Sequence, residues 1–161
     1  MDIDTNSEVV AVVRGFESCE TPKEAFHHLD HLTVAVWYLQ SLSTPDAVDR
    51  MRESLFRFID HHQIDRRKYH ETLTVFWMEM VAKCLDAMPV GLSLSEQCQR
   101  VHSLLGNKDV QLEYYSEEVL WSDAARLSFV KPNKSNWNST VIERDCKPAS
   151  PAEDEEFPAT S

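Results

Sequence analysis

Residues 28–42 read HLDHLTVAVWYLQSL, and the spacing of their apolar side chains decides the fold class. On a helix of 3.6 residues per turn, one face carries His28, Leu32, Ala35, Leu39 and Leu42, whereas a half-buried strand would alternate at every second position. Spacings of three and four recur through the chain, and only three of its 161 residues are glycine. We therefore predict an all-α fold, a compact helical bundle.

Helix start signals place the first two helices. Residues 21–24, Thr-Pro-Lys-Glu, form a capping box with proline at the first helical position, and a helix is expected from there to about Leu42. Residues 44–46, Thr-Pro-Asp, repeat the cap and the proline. They open a second helix that is expected to end near His62.

Two further main helices follow. The third is expected to begin around residues 67–69 and to stop before Pro89, because proline cannot continue a helix. Residues 93–96, Ser-Leu-Ser-Glu, are a second capping box, and Gly106 is suited to end the helix that they open. The bundle therefore has four main helices.

The domain is expected to span residues 9–130. Its last part, 110–115 and 122–130, shows short helical patterns that could cover the open side of the bundle. Residues 131–161 contain four prolines and the acidic run 153–156, and we expect them to form a disordered tail.

Charge and composition limit the class of partner. The chain has 27 acidic and 16 basic residues, a net charge of −11, which disfavours a nucleic-acid partner. No stretch is long and apolar enough to span a membrane, and the N-terminus does not resemble a signal peptide. The four cysteines show no metal-binding or disulfide pattern. We expect a cytoplasmic protein with no membrane or nucleic-acid partner.

Histidine is the most informative residue type, because six of the seven lie between His27 and His70. His28 and His31 fall on the inward side of the first helix. Short connections make the first and third helices parallel, so their N-terminal ends, and with them His70, should lie together. The end of the second helix would bring His62 to the same place.

This arrangement favours a metal site. His28 and His31 stand in i,i+3 spacing, which places their Cβ atoms about 5–6 Å apart and lets both rings bind one ion. His70 could supply a third ligand, and Glu71, His62 or water a fourth. Nitrogen ligands suit a divalent transition metal, and we predict zinc or iron.

Structural explanations of the same residues remain open. His28, His31 and His70 could form a hydrogen-bonded polar network in the core without any ion. His62 could be a C-terminal helix cap, and Glu71 could be favoured in the first turn by the helix dipole alone.

Three segments together resemble a group of small bacterial proteins. Residues 26–39 contain the block H-x-x-H-L, residues 69–77 contain Y-H-E-T-x-T, and residues 114–126 contain Y-Y-S…S-x-x-A-R, in that order. The group is known only as uncharacterised, and the likeness covers about residues 16–132. The chain departs from it at residues 133–134, where Asn-Lys stands in place of an acidic Asp-Leu pair.

The resemblance implies a shared site but no reaction. That site would be built from His28, His31, Tyr69, His70, Glu71 and Thr74, with Arg126 brought in from the last short helix. Arg126 could hold an anionic substrate through two oxygens, and we place Thr74 beside it as a substrate contact.

The first functional hypothesis is a small metalloenzyme, a hydrolase or an oxygenase acting on a small molecule. His28, His31 and His70 would hold the ion, Glu71 would act as general base on a metal-bound water, and Tyr69 would be a polarising donor. An alternative is a metal-free binder or acid/base enzyme that uses Tyr69, His70 and Glu71.

A further alternative is an interaction adaptor in which the histidines are structural and the acidic tail docks to a basic partner. The sequence does not predict an oligomeric state.

Overall fold

The structure, a computed structural model, describes residues 2–134, with side chains from residue 6 onward. These residues form eight α-helices and no β-strand, which confirms the predicted all-α fold. The helices are α1 (Asp2–Glu17), α2 (His28–Leu39), α3 (Thr44–His61), α4 (Glu71–Asp86), α5 (Leu94–Leu105), α6 (Gln111–Tyr114), α7 (Glu117–Leu120) and α8 (Asp123–Leu127).

Helix α1 is a fifth long helix that was not predicted. Its side chains Val9, Val13 and Phe16 are buried, and the helix packs against α2, α3 and α5. It begins seven residues before residue 9, where the sequence analysis placed the start of the domain. The sequence near its start is polar, and among the residues with described side chains the buried apolar ones begin at Val9.

The capping box at residues 21–24 does not open α2. It is followed by a single 3-10 turn, Lys23–Ala25, and the chain is then extended at Phe26 (φ −99°, ψ 106°). The ring of Phe26 stacks on Phe16 of α1 with centroids 4.4 Å apart. Helix α2 starts only at His28, where the Asp30 carboxylate accepts a hydrogen bond from the His27 backbone N–H at 2.9 Å. Packing of Phe26 against α1 accompanies this break in the helical path.

The other start signals agree more closely with the structure. Helix α3 starts at Thr44, with Ser43 rather than Thr44 accepting the capping hydrogen bond from Asp46 N–H. Helix α5 follows the predicted box, in which Ser93 Oγ accepts from Glu96 N–H at 3.1 Å and Glu96 accepts from Ser93 N–H at 2.9 Å. Local hydrogen bonds therefore set both of these helix starts.

The core lies between α1, α2, α3, α4 and α5, and α6 and α8 close one side of it. Residues 131–134, which the sequence analysis assigned to the tail, contact this cover, since Lys134 N–H donates to the Tyr114 carbonyl at 3.0 Å. The rest of the predicted tail, 135–161, lies outside the described residues. In the part of the chain that the structure describes, no helix is long and apolar enough to cross a membrane.

Candidate functional site

His28 and His31 lie in the first turn of α2 and face neighbouring elements. His28 Nε2 hydrogen-bonds the Leu105 carbonyl at 2.9 Å, and its ring meets the ring of Trp77 edge-on at 4.6 Å between centroids. His31 packs on Phe26 at 4.5 Å. Burial lowers the pKa of both imidazoles, that of His31 to about 4, so both are neutral near pH 7.

His70 is the N-cap of α4 and uses both of its ring nitrogens. Nδ1 accepts from the Leu73 backbone N–H at 3.1 Å, which fixes the tautomer, and Nε2–H donates to the Leu120 carbonyl at 2.8 Å. Burial lowers the pKa of His70, and this favours the neutral ring that the two bonds require. In this geometry His70 has no free lone pair for a ligand.

The imidazoles of His28 and His70 lie at different heights along α4. His28 meets Trp77, which lies seven residues beyond His70, or about 10 Å along the helix axis. His70, at the start of α4, therefore lies about two helical turns from the level at which His28 of α2 contacts α4. Among the residues with described side chains, no group of three His, Cys, Asp or Glu side chains is arranged to hold a metal ion.

His62 is connected to His31 through two intervening phenylalanine rings. It follows the last residue of α3, as its C-cap, and its ring packs on Phe58 at 4.4 Å. Phe58 in turn lies 5.4 Å from Phe26, on which His31 packs. Nε2 of His62 is buried and has no hydrogen-bond partner among the described residues.

Glu71 is held by two neighbours. Its carboxylate accepts two hydrogen bonds from the Arg52 guanidinium, at 2.6 and 3.1 Å, and a third from the Tyr69 hydroxyl at 2.7 Å. The bonds from Arg52 lower the pKa of Glu71, while burial raises the pKa of Tyr69 to about 12. Glu71 is therefore an ionised anchor between α3 and α4, and a carboxylate so stabilised is a weak base.

Thr74 and Arg126, the predicted substrate contacts, also have intramolecular partners. The Thr74 hydroxyl donates to the His70 carbonyl at 3.0 Å, within the same helix. Arg126 lies 3.5 Å from Asp123 and close enough to His70 to lower the pKa of that imidazole. Arg126 and His70 therefore lie in the same neighbourhood, while a shared substrate site stays a prediction.

Two residues with a role at these contacts were missed by the sequence analysis, Arg52 and His102. His102 Nε2 hydrogen-bonds the Thr33 hydroxyl at 2.8 Å and so ties α5 to α2. The helical pattern of α3 and α5 indicates which face is buried but not which side chain lies opposite. No sequence signal therefore paired Arg52 with Glu71 or His102 with Thr33.

The imidazoles of His28 and His70 share one structural task. Leu105 and Leu120 are the last residues of α5 and α7, and helix ends leave such carbonyls without an intrahelical partner. Each imidazole satisfies one of these carbonyls from another helix. The arrangement joins helix ends through both ring nitrogens of His70 and through Nε2 of His28.

A groove of about 520 Å³ lies elsewhere, between the first half of α3 and the second half of α4. Its apolar lining comes from Pro45, Val48, Val75 and Ala82. Its polar and charged lining comes from Thr44, Asp49, Arg52, Glu79, Lys83 and Asp86. The groove combines an apolar lining with more acidic than basic side chains.

No family model matches the chain, and no solved structure matches it. The chain is similar to serine/threonine-protein kinase 31 of Mus musculus, with 34% identity over 67 residues. The matched segment is 40% of this chain and only 7% of that protein, so the chain spans a small fraction of the length of the curated relative that it matches.

Proposed function

We propose that this chain is a small helical interaction module that binds a cationic amphipathic helix of a partner protein in the groove between α3 and α4. The observation that carries the proposal is the groove itself, which lies between two helices and is lined by both apolar and acidic side chains. An amphipathic helix binds such a groove by laying its apolar face on the apolar side chains.

The charged residues of the groove and the net charge of the chain indicate that the partner is positively charged. The lining holds three acidic and two basic side chains, and the Arg52 guanidinium pairs with Asp49 of the lining as well as with Glu71. Of the other three charged residues, Glu79 and Asp86 are acidic and Lys83 is basic. The whole chain carries a net charge of −11, which would steer a cationic partner toward it.

The hydrogen bonds of the predicted site support an interaction module over an enzyme. His28, His70 and Glu71 satisfy backbone carbonyls or an arginine, and these contacts join helices. This supports the part of the adaptor hypothesis in which the histidines are structural. The metalloenzyme, with zinc or iron bound by His28, His31 and His70, remains a prediction to be tested by metal analysis.

The test uses a fluorescein-labelled peptide of leucine and lysine, patterned as an amphipathic helix and titrated with the full chain in a fluorescence-anisotropy assay. Substituting Glu79→Gln together with Asp86→Asn should weaken binding roughly fivefold to tenfold, which corresponds to about 1 kcal/mol. The matched control is Glu117→Gln with Glu118→Gln, which removes the same charge from two exposed acidic residues outside the groove. This control should bind like the unmodified chain.

A scrambled peptide of the same composition separates groove binding from general attraction to an acidic protein. It keeps the charge but has no apolar face, and we expect it to bind at least tenfold more weakly. Equal binding of the two peptides, or equal weakening by the groove and control variants, would overturn the proposal.

A further inference from the structure

Three large apolar side chains near the end of the described chain are exposed to solvent. The relative exposure is 56% for Trp121, 68% for Leu127 and 39% for Phe129. We call these three residues the C-terminal patch. Tryptophan and phenylalanine are enriched where proteins bind, and an exposed cluster of apolar side chains marks a contact surface.

Two members of the patch, Trp121 and Phe129, are positioned by residues at the start of α4. The ring of Trp121 meets the ring of His70 edge-on at 5.7 Å. The Thr72 hydroxyl donates to the Ser128 carbonyl at 2.9 Å and accepts from Val130 N–H at 3.0 Å. Phe129 is thus held between two backbone groups fixed to α4, and its position relative to Trp121 is set by residues 70 and 72.

The described chain ends beside this patch. Asn133 hydrogen-bonds the backbone and the side chain of Ser116, the residue that caps the start of α7, and Lys134 Nζ donates to the Leu112 carbonyl at 2.6 Å. Helix α7 has four residues and is therefore about 6 Å long, with Trp121 directly after it. The described part of the chain therefore ends about 6 Å, the length of α7, from Trp121.

The sequence that follows has the length and the chemistry to reach the patch. Residues 135–142 read SNWNSTVI, so Trp137 is three residues beyond Lys134 and can lie up to about 10 Å away. Trp137, Val141 and Ile142 are apolar among polar neighbours, and Glu143 follows them. Arg126 and the exposed Lys131 lie on the segments that carry the patch, so Glu143 would find an opposite charge there.

We propose that the C-terminal patch is the docking surface for residues 137–142 of the same chain. Burial of the Trp137 indole and of Ile142 would cover Trp121, Leu127 and Phe129. The covered surface is distinct from the groove between α3 and α4, so this proposal does not depend on the one above.

The test is NMR of the full chain with ¹⁵N-labelled tryptophan indoles, in which a Trp121→Phe variant identifies the Trp121 signal. Substituting Trp137→Ala together with Ile142→Ser should shift the Trp121 indole signal by more than its line width. The shift should be the same after tenfold dilution, because the contact is within one chain. The control Phe157→Ala removes an apolar side chain beyond residues 137–142 and should leave the signal in place.

Two results would overturn the proposal. One is an unchanged Trp121 signal in the Trp137→Ala/Ile142→Ser variant, which would show that these side chains do not cover the patch. The other is a Trp121 signal that moves on dilution of the unmodified chain, which would assign the patch to a second copy. The tryptophans of the core, Trp37 and Trp77, serve as internal reference signals, since an intact fold keeps them fixed in every variant.

Discussion

One imidazole, that of His70, joins the start of α4 to the end of α7. It accepts from Leu73 N–H and donates to the Leu120 carbonyl, so its removal leaves a helix N-terminus without its cap and a carbonyl without its partner. Loss of a cap and loss of a buried hydrogen bond each cost about 1 kcal/mol. The two bonds can be separated by substitution, because asparagine is a good N-cap with a shorter side chain.

We predict that His70→Ala lowers the free energy of unfolding by about 2 kcal/mol and that His70→Asn lowers it by about half as much. Asparagine keeps an acceptor for Leu73 N–H but does not reach Leu120. Urea denaturation followed by circular dichroism measures both values, and His61→Ala, at an exposed position, should change them by less than about 0.5 kcal/mol. A His70→Ala variant as stable as the unmodified chain would contradict this assignment.

Burial of His31 predicts a loss of stability at acid pH. Its pKa is about 4 in the folded chain and 6.5 in the unfolded chain, so the unfolded chain takes up the proton first. The contribution of neutral His31 is complete above pH 6.5, falls between pH 6.5 and about 4, and is lost below that range. The full loss is roughly 3 kcal/mol, and about 2 kcal/mol is lost by pH 5.

Thermal unfolding at about pH 7 and pH 5 measures this effect. His31→Leu removes the titrating ring, so the fall in Tm between the two pH values should be smaller than in the unmodified chain. Lowered pKa values at His28, His70 and His102 act in the same direction and account for the fall that remains. His27→Leu is the matched control at an exposed position. If it reduces the fall as much as His31→Leu, burial of His31 is not the cause.

At the scale of the helices, two similar sequence signals have different outcomes. Ser93 and Glu96 form both hydrogen bonds of a capping box at the start of α5. Residues 21–24 carry the same type of signal but precede a single 3-10 turn. Ser93→Ala should therefore lower the free energy of unfolding by about 1 kcal/mol, and Thr21→Ala by a few tenths. Urea denaturation of the two variants checks the difference, and equal losses would show that Thr21 also caps a stable helix.

The same comparison shows what the sequence could and could not predict. The helical period and the caps at Ser43 and Ser93 are local, so α3, α4 and α5 lie close to their predicted bounds. The start of α2 was misplaced because Phe26 packs on Phe16, a contact that depends on α1. The hydrogen-bond partners of the predicted site residues also come from distant parts of the sequence. Nothing near Glu71 in the sequence indicates that Arg52 is its hydrogen-bond partner. No sequence pattern indicates that the carbonyls of Leu105 and Leu120 accept hydrogen bonds from His28 and His70.

At the scale of the whole molecule, three of the histidines form hydrogen bonds between different helices. His28 joins α2 to α5, His102 joins α5 to α2, and His70 joins α4 to α7. Neutral imidazole carries one donor and one acceptor, so a single ring can satisfy two backbone groups, as His70 does. A chain with several such contacts concentrates histidine for structural reasons, and this concentration is the feature from which a metal site was predicted.

A measurement of the metal content distinguishes a structural role of these histidines from a metal-binding role. An ion held by His28, His31 and His70 would have to displace one partner of the His70 ring, either the Leu73 N–H or the Leu120 carbonyl, at a cost of about 1 kcal/mol. His28 could bind the ion through Nδ1 while its Nε2–H keeps the Leu105 carbonyl. Zinc bound at a structural site gains far more than that, roughly 10–16 kcal/mol, so the cost alone would not prevent binding. The prediction must therefore be tested directly, by elemental analysis of protein produced with added zinc and iron.

We expect less than about a tenth of an equivalent of either metal, because the described side chains form no group of three ligands and His70 has both nitrogens bonded. His28→Ala, His70→Ala and the exposed control His61→Ala should then have the same metal content as the unmodified chain. About one equivalent that is lost in both His28→Ala and His70→Ala, but kept in His61→Ala, would show that distant rings bind one ion. In that case His70 must give up one of its two hydrogen bonds, and the metalloenzyme hypothesis would replace the interaction module.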